Sequence, residues 1–423
     1  MSDHLLPLPE NREFRILVGT SVRKALPILQ AHLRSYDRQE LPTGTTLSYC
    51  FVADFADPNG QDKEALAYLR EWVAARQGTV LLGGPTATND FTDLHPETHQ
   101  WQVSAMQRVG RLKNRIFEKA MAERYDAVFL ADADLLLDTT TIQTLLADDA
   151  PIACGVYWTH WQRHPSPEVT VHAGPQVWLR HPYELSGRGM DEAEFRRLLI
   201  DRQLVQVWGQ GACTLIRTEV LRAGVSFAPF PGNQGPGLWQ GEDRQFCLHA
   251  EARHIPMFGD GWPDLFHVYH LPDDVAVIPQ WEERLARPHP MRATTGDLVN
   301  VVLTALEGVP QPDGRWTAVG PQRVRGRLGA IPMLPEVEEA LHELERGQSR
   351  IVPVHFPVSH PIPQFRGQKR LIRVTLVDCK PFAFAPVIER ELFAGPHSGA
   401  WLDGTSLTPA QHQSLRAEMT THG

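Results

Sequence analysis

Two acids, Asp132 and Asp134, stand at the end of one of the most apolar runs in the chain, VFLADADLLL at 128–137. In an extended segment residues i and i+2 face the same way, so both carboxylates can address one object. Two like charges that close repel unless a cation or hydrogen-bond donors lie between them. A divalent metal carrying phosphates satisfies both, and hard oxygen ligands suit Mg2+ or Mn2+. The competing reading is local. An Asp after a strand often caps the next helix, the role expected of Asp138 before TTTIQTLL.

Other residue types fit the same chemistry. Arg111, Lys113 and Asn114, in RLKN, lie on the predicted helix before that strand, placed to meet a nucleotide or the acidic strand end. A solvated basic helix face is the alternative. Asp54 ends the second predicted strand, where it either accepts hydrogen bonds from a base or ribose or serves as a turn residue. Glu242 and Asp243, in WQGEDRQFC, open a helix whose dipole they complement in any case.

The elements that must position these residues follow from periodicity. Apolar runs at 14–20, 46–55, 78–84, 126–132 and 151–158 alternate with helical patterns at 25–36, 64–76, 108–125 and 138–149. That alternation predicts parallel strands joined by crossover helices, an α/β layer architecture. In such sheets ligands bind beyond the carboxyl ends of the strands, where Asp132 and Asp134 fall. Regular structure weakens between His160 and Gly211 and returns at GACTLIRTEVLRAG, 211–224. After about residue 285 the Pro- and Gly-rich stretches ARPHPMRATTG and GVPQPDGRWTAVGPQ read as connections to a second, smaller domain. That domain carries a helix at 336–347 and strands at 349–357 and 370–378.

Composition excludes several classes. A formal net charge of −9 offers no general attraction to nucleic acid polymers or anionic lipid. No run of eighteen apolar residues and no secretory leader is found, and the five scattered cysteines lack CxxC spacing, so a reduced cytoplasmic setting is expected. LVGTSVRK lacks the GxGxxG of a dehydrogenase, and no GxSxG elbow marks a serine hydrolase.

The order of parts is informative: a strand and helix opening, Asp54 after strand two, the Arg111 to Asn114 helix, Asp132-x-Asp134, then Gly241-Glu242-Asp243. Together these resemble the GT-A glycosyltransferases, the family 2-like group especially, over residues 13–270. The resemblance implies a Rossmann-like domain at 1–285, its mostly parallel sheet flanked by helices, and a C-terminal accessory domain at 286–423 containing strands. A nucleotide-sugar donor would lie across the strand ends with its diphosphate on Mn2+ or Mg2+. Asp134 would bind that metal, Asp132 the ribose or the metal's water shell, and His267, with His270 as second choice, would complete the metal site. Thr20, Ser21 and Val22, in the loop after strand one, would line the base and ribose pocket with Asp54, while Arg111 and Asn114 would contact the donor. Asp243 would be the general base of an inverting transfer, and Glu242 would hold the acceptor or orient its neighbour.

The implied activity is transfer of one sugar, hexosyltransferase type, from a UDP- or GDP-sugar to a carbohydrate or other hydroxyl, since no QxxRW motif of polysaccharide synthases follows the acids. Trp158, Trp161, Trp178, Trp208, Trp239 and Trp262 as a group favour a carbohydrate acceptor. The alternatives are a sugar nucleotidyltransferase and a non-catalytic nucleotide-sugar or carbohydrate-binding subunit.

Overall fold

The computed structural model describes residues 13–55, 59–60, 62–84, 103–162, 171–178, 192–231, 241–268, 275–307, 317–330, 333–359 and 365–381. It divides into two compact units between Arg287 and Pro288.

The first unit runs β1 (Phe14–Val22), α1 (Leu26–Asp37), β2 (Thr45–Ala53), α2 (Lys63–Ala74), β3 (Gly78–Leu82), α3 (Val103–Ala122) and β4 (Ala127–Ala131). It continues through β5 (Leu135–Leu137), α4 (Thr141–Ala147), β6 (Ile152–Gly155), β7 (Trp158–Gln162), β8 (Val171–Pro175), β9 (Val177–Trp178) and α5 (Glu192–Ile200). Then come β10 (Leu204–Val207), β11 (Gly209–Gln210), β12 (Cys213–Arg217), α6 (Thr218–Arg222), α7 (Glu242–Glu251), β13 (Met257–Asp260), β14 (Leu265–His267) and α8 (Ile278–Leu285).

Eight of these strands form one sheet in the order β10-β13-β6-β12-β4-β1-β2-β3. β12 and β10 oppose the other strands, which share one direction. The sheet is α/β and mainly parallel, and its strands read as apolar runs because both faces are covered. Alternation along β1 sends Ile16 and Val18 to one face, with Leu29, Leu33 and Leu69 of α1 and α2. Leu17 goes to the other face, with Ile116 and Phe117 of α3 and Phe246 of α7.

From β1 the chain builds outward through β2 to β3, then returns to place β4 on the other side of β1. The strand order therefore reverses between β1 and β4, and a crevice opens outside the carboxyl ends of those two strands. Asp132 and Asp134 directly follow β4 at that point.

Two local expectations need correction. The run at 151–158, read as one strand, is split: β6 ends at Gly155 and β7 starts at Trp158. Between them the chain leaves the sheet, and Tyr157 joins the site described below. Residues 20–22 are not loop. β1 runs to Val22, pairing Thr20, Ser21 and Val22 with Phe51, Val52 and Ala53.

The second unit is a four-stranded antiparallel sheet, β16-β15-β18-β17, made of β15 (Leu298–Glu307), β16 (Thr317–Arg327), β17 (Ser349–His355) and β18 (Lys369–Lys380). Helix α9 (Pro335–Glu343) packs Val337, Ala340 and Leu341 against Val299, Val301 and Val374. The stretch GVPQPDGRWTAVGPQ, read as a connection, contributes β16 from Thr317 onward. Its Pro321 is tolerated because β16 is an edge strand and the β15–β16 ladder is irregular there, passing from the Leu303–Gln322 pair to Ala305–Val319. Among the described residues no helix is long and apolar enough to cross a membrane. All five cysteines are buried free thiols.

Candidate active site

Helix α3 is the organising element. It carries Gly110, where an added Cβ would lie 2.9 Å from the Phe227 carbonyl oxygen and 3.2 Å from the Glu242 Cβ, so only glycine lets α3 lie this close to the start of α7. α7 itself starts after Gly241, whose φ of 111° is a left-handed value that a side chain would oppose. Together these two glycines bring Glu242 and Asp243 to the middle of α3.

Lys113, only 1% exposed, projects from α3 into this region. Its ammonium lies 3.0 Å from a Glu242 carboxylate oxygen, 3.0 Å from one of Asp243 and 3.6 Å from one of Asp132. Burial alone would depress this amine, but the charges of Asp132, Asp243 and Glu242 outweigh it and hold it well above its ordinary range. Asp132 and Asp243, far apart in sequence, thus meet on one buried cation. Burial raises the carboxyl groups of both to about 6, against the opposing charge of Lys113.

Asp134, 4% exposed, has a different environment. Its Oδ2 lies 2.5 Å from the Lys24 ammonium and 3.6 Å from His267 Nε2. Its Oδ1 is buried with no hydrogen-bond partner. Burial would raise this carboxyl, yet Lys24 and His267 win and keep it well below the usual carboxylate range. The meeting with His267 has a backbone cause. β14 pairs antiparallel with β5, His267 opposite Leu135, and the Val268 N–H donates to the Asp134 carbonyl oxygen at 2.8 Å. Thr159 Oγ1 lies 3.5 Å from His267 Nδ1. Tyr157 lies alongside, its ring 5.6 Å from His267 and its hydroxyl accepting from the Ala212 N–H at 3.4 Å. Burial, then the charges of Asp132, Asp243 and Asp134, push its phenol well above the ordinary value.

The remaining expected site residues are placed as follows. Asp54 is buried and gripped by Arg108 of α3, whose Nε lies 3.0 and 3.1 Å from its two oxygens. An added Cβ on Gly83 would meet Asp54 Oδ1 at 2.3 Å, so a side chain at 83 would collide with this ion pair. Asn114 is spent on the backbone, its amide oxygen accepting from the Phe227 N–H at 2.9 Å. Arg111 is exposed. The structure does not bring these last two to the acids: Asn114 is held by Phe227, and residues 111 and 113 lie about 200° apart around a helix, so Arg111 faces away when Lys113 faces the strand end. Thr20 and Val22 are buried, Val22 in the core beneath α1 and α2, while Ser21 is half-buried.

The tryptophans divide as well. Trp158 and Trp262 are core residues, 3% and 0% exposed. Trp178 pairs across strands with Gly209 and carries the Arg244 guanidinium 3.9 Å from its ring centroid. Trp208 is half-buried away from the acids, beside Val207 and Met257, which sit at the opposite end of the sheet. Trp239, His270 and the side chain of Trp161 lie outside the described residues.

Sequence reasoning missed Lys24, Arg108 and Tyr157. Lys24 carried a usable signal, since VRKALP directly follows the first strand and so falls at the switch point. Among the described residues no group of three or more His, Cys, Asp and Glu side chains is arranged to hold a metal ion by itself. The protein side offers two adjacent donors, Asp134 and His267, with Asp132 nearby.

No protein-family model matches the sequence, and no curated protein matches it. Among solved structures the chain is similar to the crystal structure of GalNAc-T7 with UDP, GalNAc and Mn2+, at 12% identity and a TM-score of 0.38, covering 64% of this chain and 48% of that one. It thus spans about half the length of that structure. It is also similar to the crystal structure of a mycobacterial protein, at 13% identity and a TM-score of 0.29, covering 75% of this chain and 84% of that one.

Proposed function

We propose that this protein is a metal-dependent glycosyltransferase of GT-A type that moves one sugar from a UDP- or GDP-sugar to an acceptor hydroxyl with inversion. The observation that carries the reading is the convergence of Asp132, Asp134 and Asp243 at the point where the strand order reverses, where these three and Glu242 make four carboxylates around the ammonium groups of Lys24 and Lys113. A surplus of buried carboxylate, with Asp134 Oδ1 lacking any donor, suits one divalent cation that completes its shell with phosphate and water. Asp134 and His267 are the residues that would hold it, with Asp132 beside them. Bound there, it supplies positive charge to a departing diphosphate.

The protein's own residues do the rest. An attacking hydroxyl must lose a proton as it bonds to the anomeric carbon, and Asp243, half-buried at the head of α7, is the carboxylate placed to take it. Lys113 holds Asp243 and Glu242 in place and keeps their charges together in a poorly solvated site. Ala212 ties Tyr157 to the acids, its N–H donating to the Tyr157 hydroxyl and its carbonyl accepting from the Asp132 N–H. The second unit is proposed as an accessory domain to the first.

Nucleotide release from a panel of UDP- and GDP-sugars with Mn2+ tests the reading. With the productive donor, kcat/KM is expected to rise with pH, with a midpoint near 6, because burial lifts Asp243 to about 6 and only its ionised form accepts a proton. A profile that is flat or falls between pH 5 and 7 removes Asp243 as the base. No release with any donor rejects the activity.

A further inference from the structure

A cavity lies at the other end of α7 from Asp243. Its volume, about 520 Å3, falls inside the ~300–1,000 Å3 typical of small-ligand sites. Trp208, Phe230 and Met257 give it apolar walls, and Gln206, Glu251 and His254 give it hydrogen-bonding groups. Regular elements hold the two aromatic walls in place. The Phe230 N–H donates to Gln245 Oε1 at 2.7 Å and its ring meets that of His249 edge-on at 5.1 Å, both partners belonging to α7. Trp208 donates its N–H to the Trp178 carbonyl oxygen at 2.9 Å.

The chemistry of these walls selects an occupant. A sugar ring has an apolar C–H face that stacks on an aromatic ring, and a rim of hydroxyls that pair with amide, carboxylate and imidazole groups. A lipid tail or apolar peptide would instead bury the Glu251 carboxylate against hydrocarbon. A phosphate or an acidic sugar would meet that carboxylate as a like charge. Among the described residues lining the cavity none is Lys or Arg, and the neighbouring Arg253 is turned onto the Ala223 carbonyl oxygen at 2.6 Å.

The cavity is also connected to the acids. Leu248 and Glu251 of α7 line it, and Asp243 opens the same helix. From Asp243 to Glu251 the helix rises about 12 Å, a span that a short oligosaccharide covers and a monosaccharide does not. A second link runs through the chain from Val207, which pairs with Met257 at the start of β13, to Cys213, which pairs with Ala131 directly before Asp132. Trp178 lies along it, opposite Gly209, and carries the guanidinium of Arg244, the residue after Asp243.

We propose that this cavity binds the distal sugars of a neutral oligosaccharide, the acceptor whose reacting end lies at Asp243. The inference rests on the reading of Asp243 as the base of a glycosyl transfer, and adds the class of the acceptor and the place of its far end. A monosaccharide occupies one of the two places. An oligosaccharide reaches both, so the second contact strengthens the first without any change at the acids.

The test is binding, read without metal, nucleotide or turnover. The full chain is applied to an array of neutral oligosaccharides from disaccharides to hexasaccharides, and the strongest ligand is titrated against tryptophan fluorescence beside its own monosaccharide. The oligosaccharide is expected to bind saturably and the monosaccharide far more weakly. Ala252→Trp fills the cavity from an exposed position after α7, and Trp208→Ala removes a wall. Each is expected to weaken oligosaccharide binding at least about tenfold, the usual effect of blocking or removing an aromatic anchor. Asp134→Asn is expected to bind the oligosaccharide as the parent does, and Ala252→Trp to bind UDP or GDP with Mn2+ as the parent does, which shows that it is folded. If no oligosaccharide on the array binds, or if both cavity variants bind one as tightly as the parent, the cavity is not a glycan site. A blank array beside Mn2+-dependent nucleotide binding removes the cavity proposal and leaves the transferase reading standing. Oligosaccharide binding in the cavity by a chain that binds neither nucleotide removes the acceptor role and the transferase reading with it.

Discussion

Replacing Lys113 with methionine is expected to lower the stability of the first unit by about 3–5 kcal/mol at pH 8, the usual cost of stripping the partner from a buried charge. Methionine keeps the length and volume, so the loss reports charge and not a cavity. In the parent protein one ammonium serves Asp132, Asp243 and Glu242. Without it, three carboxylates face one another where burial already raises two of them to about 6. The sign of the pH dependence follows. A carboxyl whose folded value lies above its unfolded value binds protons preferentially when folded, so its contribution favours folding at low pH and is lost as pH rises through the folded value. The defect of Lys113→Met should therefore shrink toward pH 5, where Asp132 and Asp243 take up protons, and grow above pH 7. Urea denaturation at both pH values measures it. Equal loss at pH 5 and pH 8 would show that packing, and not charge, is what Lys113 contributes.

Asp243→Asn carries the second large effect. The amide keeps the shape and can still pack at the head of α7, but it accepts no proton. Turnover is expected to fall by about 10²–10⁴, the range for loss of a positioned general base. Nucleotide affinity should stay within a few-fold of the parent, since Asp134 and His267 are untouched. Steady-state transfer and calorimetric titration of UDP or GDP separate the two quantities. An Asp243→Asn protein that turns over normally places the base elsewhere or makes the reaction retaining. One that loses nucleotide binding as well makes Asp243 part of the donor site instead.

The first unit was legible in the sequence where period and chemistry agreed. The apolar runs of β1, β2 and β4 bury residues on both faces, and the edge strand β3 half-buries Val80 and Leu81, so they could be read as parallel strands without knowing their partners. What the runs could not tell was direction. β12 reads as an apolar strand like the others, yet it lies antiparallel between β4 and β6. The position of Asp132 and Asp134 at a strand end was readable for the same reason as the strand itself.

The partners of those acids were readable only in part: the RLKN helix was placed to meet the acidic strand end and the resemblance set His267 beside Asp134, but the contacts themselves are made across long sequence separations. Lys113 was visible within RLKN, but helical phase alone decides that it faces the acids while Arg111 faces outward. His267 reaches Asp134 through the pairing of β14 with β5, each a three-residue strand too short to announce itself. Asp54 looked available at the end of β2, and the Arg108 that grips it opens the predicted helical pattern at 108–125, but nothing in that pattern tells which strand end the residue meets. In the second unit β16 was hidden by its own Pro and Gly, residues that usually mark turns and here are accommodated at a sheet edge.

The central claim is that the acids at the end of β4 hold a cation that carries a nucleotide diphosphate. Calorimetric titration of UDP and GDP into the parent protein and into Asp134→Asn, each with Mn2+ and with EDTA, tests it most directly. The account predicts saturable binding of one nucleotide to the parent with Mn2+, and its loss both in EDTA and in Asp134→Asn with Mn2+. Binding of equal affinity in all four samples would contradict it.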